Sequence, residues 1–262
     1  MSADRPPSRR AGPILLYGVV GAAVAFYAGG ALFGEEPGPA TAVEGIPLAP
    51  DWPAIAAWPP EDEGGGVEAA PDPERLTTVM VLDDSSSMNA RMGAAKDAVA
   101  EAARLLPQSG RLGVLALNAG LVQEPAPAAE AAAALPSRLD PIRADGSTPL
   151  GPALMAARAM LEAEAARQRG FGTYRIIVAT DGAADDELRL AEAVAGILTE
   201  TPIQISTIGI GLGSGHVLNM PGHVSYVGVT DVSGLATALA AAVAENTTFE
   251  PITAFDAAEE ET

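Results

Sequence analysis

The sequence predicts an α/β protein. Its body is a doubly wound, mostly parallel sheet with helices on both faces and one short antiparallel edge strand, preceded by a single N-terminal transmembrane helix. Three observations carry this. Beyond Leu76, apolar runs of strand length alternate with longer stretches whose apolar residues recur at helical spacing. The strand-like runs are apolar almost continuously, as in strands covered on both faces. Before them, Pro13–Phe33 is free of charge and about long enough to cross a bilayer as a helix.

The N-terminal run is flanked by Arg5, Arg9 and Arg10 before it and by Glu35 and Glu36 after it. That asymmetry places residues 1–12 in the cytoplasm, makes 13–33 the membrane span and puts the remainder outside, in the periplasm if the host is a bacterium. A cleaved signal peptide is the alternative, with the small residues Ala28, Gly29, Gly30 and Ala31 at the cut, although the run is long for a signal core. Residues 34–75 are rich in Pro, Gly, Asp and Glu without periodicity and read as a linker. They contain both tryptophans, Trp52 and Trp58, which are expected to dock on the globular body.

In that body, residues 76–246, the first strand is Leu76–Leu82. A helix follows with Met92, Ala95, Val99, Ala102 and Leu106 on one stripe. The next strand is Arg111–Leu117, and Asn118-Ala119-Gly120 turns it back into the short antiparallel edge strand LVQE. The alanine-dense stretch Ala126–Ala134 predicts a short helix. Leu150, Leu154, Ala157, Leu161 and Ala165 mark a longer one. Then come strand Tyr174–Thr180, helix Glu187–Leu198, strands Ile203–Ile210 and Ser225–Val229, and helix Ser233–Ala244. Alternation of this kind implies right-handed crossovers. Residues 247–262 form an acidic tail.

Composition narrows the chemistry. A formal net charge of −19 over 262 residues opposes nucleic acid and anionic membrane surfaces as partners and favours cations. With no cysteine and two histidines, a metal would have to be held mainly by oxygen.

The oxygens concentrate where a parallel sheet binds ligands, beyond the carboxyl ends of its strands. The first strand runs straight into Asp83, Asp84, Ser85, Ser86 and Ser87. The strand Tyr174–Thr180 ends in Asp181-Gly182, and DGSTPL places Thr148 just before a helix. Singly, each has an ordinary explanation: serines and threonine as helix caps, Asp-Gly as a turn, Asn89 as a cap. Jointly, three loops bring hard oxygen donors to one sheet edge, a set suited to Mg²⁺ or Mn²⁺.

These segments carry a resemblance. Asp83-x-Ser85-x-Ser87, GSTPL with Thr148 and ATDG with Asp181, in this order and in these contexts, resemble a von Willebrand factor type A domain with a complete metal-ion-dependent adhesion site on a Rossmann-like sheet. The resemblance implies a metal held at Asp83, Ser85, Ser87, Thr148 and Asp181, with the serines and the threonine coordinating directly and the aspartates acting largely through water. It implies further that the under-neutralised ion accepts an Asp or Glu carboxylate of a partner protein, and that a ligand can shift the last helix. Asp84 and Ser86 occupy the motif's variable positions and have no direct metal role in this reading. Removing Asp83 is expected to abolish metal binding with little effect on folding.

Other signals are weaker. Gly209–Gly215 lacks the spacing of a phosphate loop, His216 and His223 flank a loop containing Asn219 and Pro221 and make only a weak case for a two-histidine metal site, and Asn246-Thr247-Thr248 matches a glycosylation acceptor. The expected function is a membrane-tethered, non-enzymatic binding module. The alternatives are a metal-assisted hydrolase and a scaffold with a non-functional site. Against the hydrolase, Asp83-x-Ser85 lacks the second aspartate of a phosphoryl-accepting motif, and no Gly-x-Ser-x-Gly elbow is present.

Overall fold

The structure is a computed structural model and describes residues 48–60, 66–68, 70–212 and 216–244. The span Pro13–Phe33, the acidic tail, the acceptor at Asn246 and part of the Gly209–Gly215 run lie outside the described residues. Among the described residues no helix is long and apolar enough to cross a membrane.

Six strands form one sheet in the order β3-β2-β1-β4-β5-β6. They are β1 (Leu76–Leu82), β2 (Arg111–Ala116), β3 (Gly120–Pro127), β4 (Thr173–Thr180), β5 (Gln204–Ile210) and β6 (Ser225–Val229). All neighbours are parallel except β3, which runs antiparallel to β2. β1 is central, with Val79 opposite Gly113 on one side and Ile176 on the other, and each of its residues is buried.

Its side chains alternate between two cores, as the pleat requires. Met80 and Leu82 pack with α2 (Met92–Arg104), α3 (Ala128–Leu139) and α6 (Leu235–Ala244). Val79 and Val81 pack with α4 (Leu150–Arg167) and α5 (Glu187–Glu200). The apolar runs are therefore continuous because both faces are covered. Helices α4 and α5 approach closely at Gly151, where a Cβ would lie 3.0 Å from the Arg189 carbonyl, a spacing real side chains do not tolerate comfortably.

The edge strand is longer than LVQE and breaks register between Leu112 and Val114 and again before Leu115. Pro125 and Pro127 are tolerated because an edge strand need not donate from every residue. The following helix consequently starts at Ala128, not Ala126, and runs on through Pro136 to Leu139. The last helix begins at Leu235, after a 3₁₀ turn at Val232–Gly234 capped by Asp231, whose carboxylate accepts from the Ser233 amide at 2.8 Å.

Ahead of the sheet, α1 (Trp52–Ala57) starts at Asp51, which caps the Ala54 amide at 3.1 Å and donates its own amide to the Thr199 carbonyl. Trp58 docks edge-on against Tyr174, with ring centroids 4.9 Å apart. Trp52 does not dock: it is 62% exposed, because the short helix turns it away from the body.

The topology positions the site. From β1 the chain moves to β2 on one side and returns to β4 on the other, so strand order reverses between β1 and β4. That reversal opens a crevice at the carboxyl ends of these two strands. Asp83 follows β1 and Asp181 follows β4, and the Asp83 amide still donates to Ala179 at 3.0 Å.

Candidate metal centre

The loop after β1 is organised by a buried carboxylate. Asp83 is 0% exposed. Its Oδ1 accepts from the Ser85 amide at 2.8 Å and its Oδ2 from the Thr180 hydroxyl at 2.5 Å. Both oxygens are engaged, so Asp83 shapes the loop and ties it to the end of β4. Its neighbour faces the other way, as successive residues of an extended segment must. Asp84 accepts from the Asn118 amide at 2.7 Å, from the Asn118 side chain at 3.1 Å and from the Ala119 amide at 2.9 Å, anchoring the turn between β2 and β3.

The serines form a directed chain toward Asp181. Ser87 Oγ donates to Asp181 Oδ1 at 2.6 Å, and Ser85 Oγ lies 3.0 Å from Ser87 Oγ. A hydroxyl has one proton, so with that of Ser87 given to Asp181 the Ser85 hydroxyl is the donor to Ser87. The lone pairs of Ser85 remain available. Asp181 Oδ2 accepts from Arg91 Nη1 at 2.5 Å, an ion pair in which the Asp181 side chain is 1% exposed and the Arg91 side chain 42%.

The third loop is stitched to the first through backbone. The Asp145 amide donates to the Asp84 carbonyl at 2.8 Å, and Ser86 donates to the Gly146 carbonyl from its amide at 3.2 Å and its hydroxyl at 3.0 Å. Gly146 turns the chain at φ +85°, a conformation glycine adopts without strain. Asp185 then clamps Thr148, its two carboxylate oxygens accepting from the Thr148 amide at 3.0 and 2.9 Å. The Ser147 hydroxyl and the Thr148 amide hold the Asp185 carboxyl below its ordinary range. Thr148 is buried, and its hydroxyl enters no hydrogen bond among the described residues. A Cβ built on Gly182 would sit 3.5 Å from Thr148 Oγ1 and 4.0 Å from Ser87 Oγ, so both hydroxyls face the same small space.

None of these side chains acts as a helix cap. Ser85 precedes the 3₁₀ turn Ser86–Ala90 and Pro149 precedes α4, and neither start has a side-chain cap. Asn89 lies inside the 3₁₀ turn, and the cap position of α2 belongs to Arg91, so the expectation that Asn89 caps is not met. Two cis ligands of an octahedral ion with bonds of about 2.1 Å lie about 3.0 Å apart. The Ser85–Ser87 spacing matches that edge, and the shorter Ser87–Asp181 distance is that of a hydrogen bond, which suits a carboxylate oxygen outside the first shell. The donor set therefore fits a small hard cation. Among the described residues no group of three or more His, Cys, Asp or Glu that could hold a metal ion assembles, at this edge or elsewhere, so the fit rests on the hydroxyls.

The histidines are not part of the centre. His216 is buried and accepts the Leu218 amide at Nδ1, which leaves its proton on Nε2 to donate to the Gly182 carbonyl at 3.2 Å. Desolvation lowers its pKa, partly opposed by that bond to Gly182. A cavity of about 350 Å³ lies at the opposite edge of the sheet, among Arg175, Gln204, Ser206 and His223. There, Arg175 donates to the last carbonyls of α6, at Ala242 and Val243. The hydroxyl cluster is at the open surface instead, with Ser87 exposed.

Sequence reasoning missed Arg91, Thr180, Asp185 and the anchoring role of Asp84. Only the last had a usable signal, the opposite facing of adjacent residues at a strand end.

Residues 78–183 match the family model of the von Willebrand factor type A domain, a stretch that contains Asp83, Ser85, Ser87, Thr148 and Asp181. Solved structures share the fold at low identity. A von Willebrand factor type A protein from Catenulispora acidiphila is 21% identical with TM-score 0.57, covering 66% of this chain and 43% of its own. The pilus adhesin SpaC of Lactobacillus rhamnosus GG is 15% identical with TM-score 0.56, covering 70% of this chain and 31% of its own. The von Willebrand factor domain of the type V pili tip protein Mfa5 of Porphyromonas gingivalis is 13% identical with TM-score 0.51, covering 67% and 95%. This chain thus spans less than half the length of the first two. No curated protein matches it. Its α/β body, six strands with one antiparallel edge and the oxygen-bearing loops at the strand ends, has the fold of these von Willebrand factor type A structures, and the family model matches its residues 78–183.

Proposed function

We propose that this domain is a metal-dependent protein-binding module, in which Ser85, Ser87 and Thr148 hold Mg²⁺ or Mn²⁺ directly while Asp83 and Asp181 act from behind them. The observation that carries this reading is the convergence of uncapped hydroxyls from separate loops on one surface point. A bound ion would supply an electrophilic coordination position for a carboxylate oxygen. The chain's own residues do the rest. Asp83 fixes the Ser85 amide, Asp185 fixes Thr148, and Asp181 draws the Ser87 proton, which makes that oxygen a better donor. Helices α2 and α4 start beside the loops, and their positive ends favour an incoming anion. An Asp or Glu of a partner protein is the ligand this arrangement suits.

Binding rather than catalysis is favoured because His216 uses both ring nitrogens within the fold and the carboxylate beside Ser87, that of Asp181, is committed to an ion pair with Arg91. The names of SpaC and Mfa5, pilus adhesin and pili tip protein, are of the same class. Tethering through Pro13–Phe33, with the domain outside the cytoplasm, is proposed on the flanking charges alone; a reporter fused after Thr262 checks it, and a cytoplasmic signal rejects it.

The binding test is capture of partners from membranes. It should be lost in EDTA, restored by Mg²⁺ or Mn²⁺, and absent in Thr148→Ala, a change that removes no side-chain hydrogen bond among the described residues. Capture that survives both chelation and Thr148→Ala would move the binding surface elsewhere, with the exposed Trp52 the first alternative.

A further inference from the structure

We propose that Arg91 is a built-in counter-cation that competes with the divalent ion for Asp181, so that loading the site requires its guanidinium to leave the carboxylate. The inference rests on the metal-binding reading above and adds a residue that the Asp-x-Ser-x-Ser, Thr and Asp pattern does not contain.

The Asp181 side chain is 1% exposed, and a carboxylate so enclosed keeps its charge only when opposed by a cation and hydrogen-bonded. Arg91 supplies that cation through Nη1 at Oδ2, while the Ser87 hydroxyl occupies Oδ1. The location of Arg91 shows what holds it there. It sits at the cap position of α2, where the helix dipole is positive and disfavours a cation, and it makes no side-chain cap bond. Asp181 is its side-chain partner among the described residues, so the pair explains the placement and the helix does not. The Arg91 side chain is also 42% exposed, so the guanidinium reaches in from solvent and returns to it without crossing packed core.

An ion held by the hydroxyls of Ser85 and Ser87 would share Asp181 with Arg91, two cations on one monoanion. Asp83 adds negative charge behind Ser85, but the Ser85 amide and the Thr180 hydroxyl hold its oxygens in place, and it does not part Arg91 from the ion at Asp181. Metal and guanidinium therefore disfavour one another, and by linkage each weakens the other's hold on Asp181 equally. In the apo site Arg91 balances the charge of Asp181, and the metal affinity is set below what the oxygens alone would give.

Calorimetric titration of Mg²⁺ into the full chain in neutral detergent tests this with wild type, Arg91→Gln and Arg91→Lys. Arg91→Gln should bind tighter by roughly 5- to 150-fold, the usual range of coupled equilibria. Arg91→Lys should stay near wild type. In EDTA the melting temperature of Arg91→Gln should fall below wild type, while its gain on adding Mg²⁺ should exceed that of wild type. A readout on unaltered protein covers the case in which Arg91→Gln does not fold: Mg²⁺ should speed phenylglyoxal modification of Arg91, followed by mass spectrometry. Equal or weaker Mg²⁺ binding in a folded Arg91→Gln, or protection of Arg91 by Mg²⁺, overturns the competition while leaving the metal site standing. Absence of Mg²⁺ binding in wild type and variants alike overturns both.

Discussion

Replacing Asp83 by alanine should destabilise the metal-free domain, against the sequence expectation that folding would be little affected. Asp83 is fully buried and accepts two hydrogen bonds, from the Ser85 amide at 2.8 Å and the Thr180 hydroxyl at 2.5 Å. Alanine leaves both donors, on residues 2% and 0% exposed, without their acceptor. Each buried unsatisfied group costs about 1–3 kcal/mol. The Thr180 hydroxyl has a fallback in the Gly182 carbonyl at 3.3 Å, so its share falls at the low end. A net loss of about 2–4 kcal/mol follows, a fall in melting temperature of about 4–16 °C for a domain of this size. Asp83→Asn keeps one acceptor oxygen and should lose roughly half as much. Differential scanning calorimetry of the full chain in EDTA reads both directly, since metal cannot contribute there. An Asp83→Ala protein that melts at or above the wild-type temperature in EDTA would refute the reasoning, and would mean that repulsion among the clustered oxygens outweighs the bonds Asp83 makes.

Asp84→Ala should loosen the turn between β2 and β3, because three donors on Asn118 and Ala119 lose their acceptor; amide exchange at Asn118 and Ala119 should accelerate at least tenfold (about 1.4 kcal/mol of local stability), while unchanged exchange would contradict the anchoring role. His216 should be neutral at pH 7, since desolvation depresses its pKa below the unfolded value of about 6.5. Its contribution to stability is therefore fully present above the unfolded pKa and lost as pH falls from there toward the folded pKa. The His216 imidazole resonance should titrate below about 6.5, and wild-type stability should decline over that window more than that of His216→Gln. Titration at or above the ordinary value would show that the bond to Gly182 outweighs burial.

The boundaries of β1 were legible because the continuous apolar run Leu76–Leu82 stops abruptly at Asp83, and a doubly covered strand admits no other reading. The oxygen-bearing loops were legible for a related reason. Their chemistry is written in short contiguous stretches, and parallel-sheet topology carries such stretches to one edge wherever the strands end. The start of α3 was not legible, since Pro125, Ala126 and Pro127 suit an edge strand as well as a helix start, and only pairing with β2 decides between them. Within the site, the residue types came from sequence and the partnerships from the fold. Asp84 meets Asn118 across 34 residues, Thr148 meets Asp185 across 37, and Arg91 meets Asp181 across 90. No periodicity encodes which arginine reaches which carboxylate. The oxygens, and the strand ends that present them, are written in contiguous stretches of the chain. That Asp83 is a loop-shaping acceptor, that the serine and threonine hydroxyls are not helix caps, and that Asp181 is paired with a cation of the chain's own are matters of the folded state, because those roles depend on distances between segments that meet once the sheet has formed.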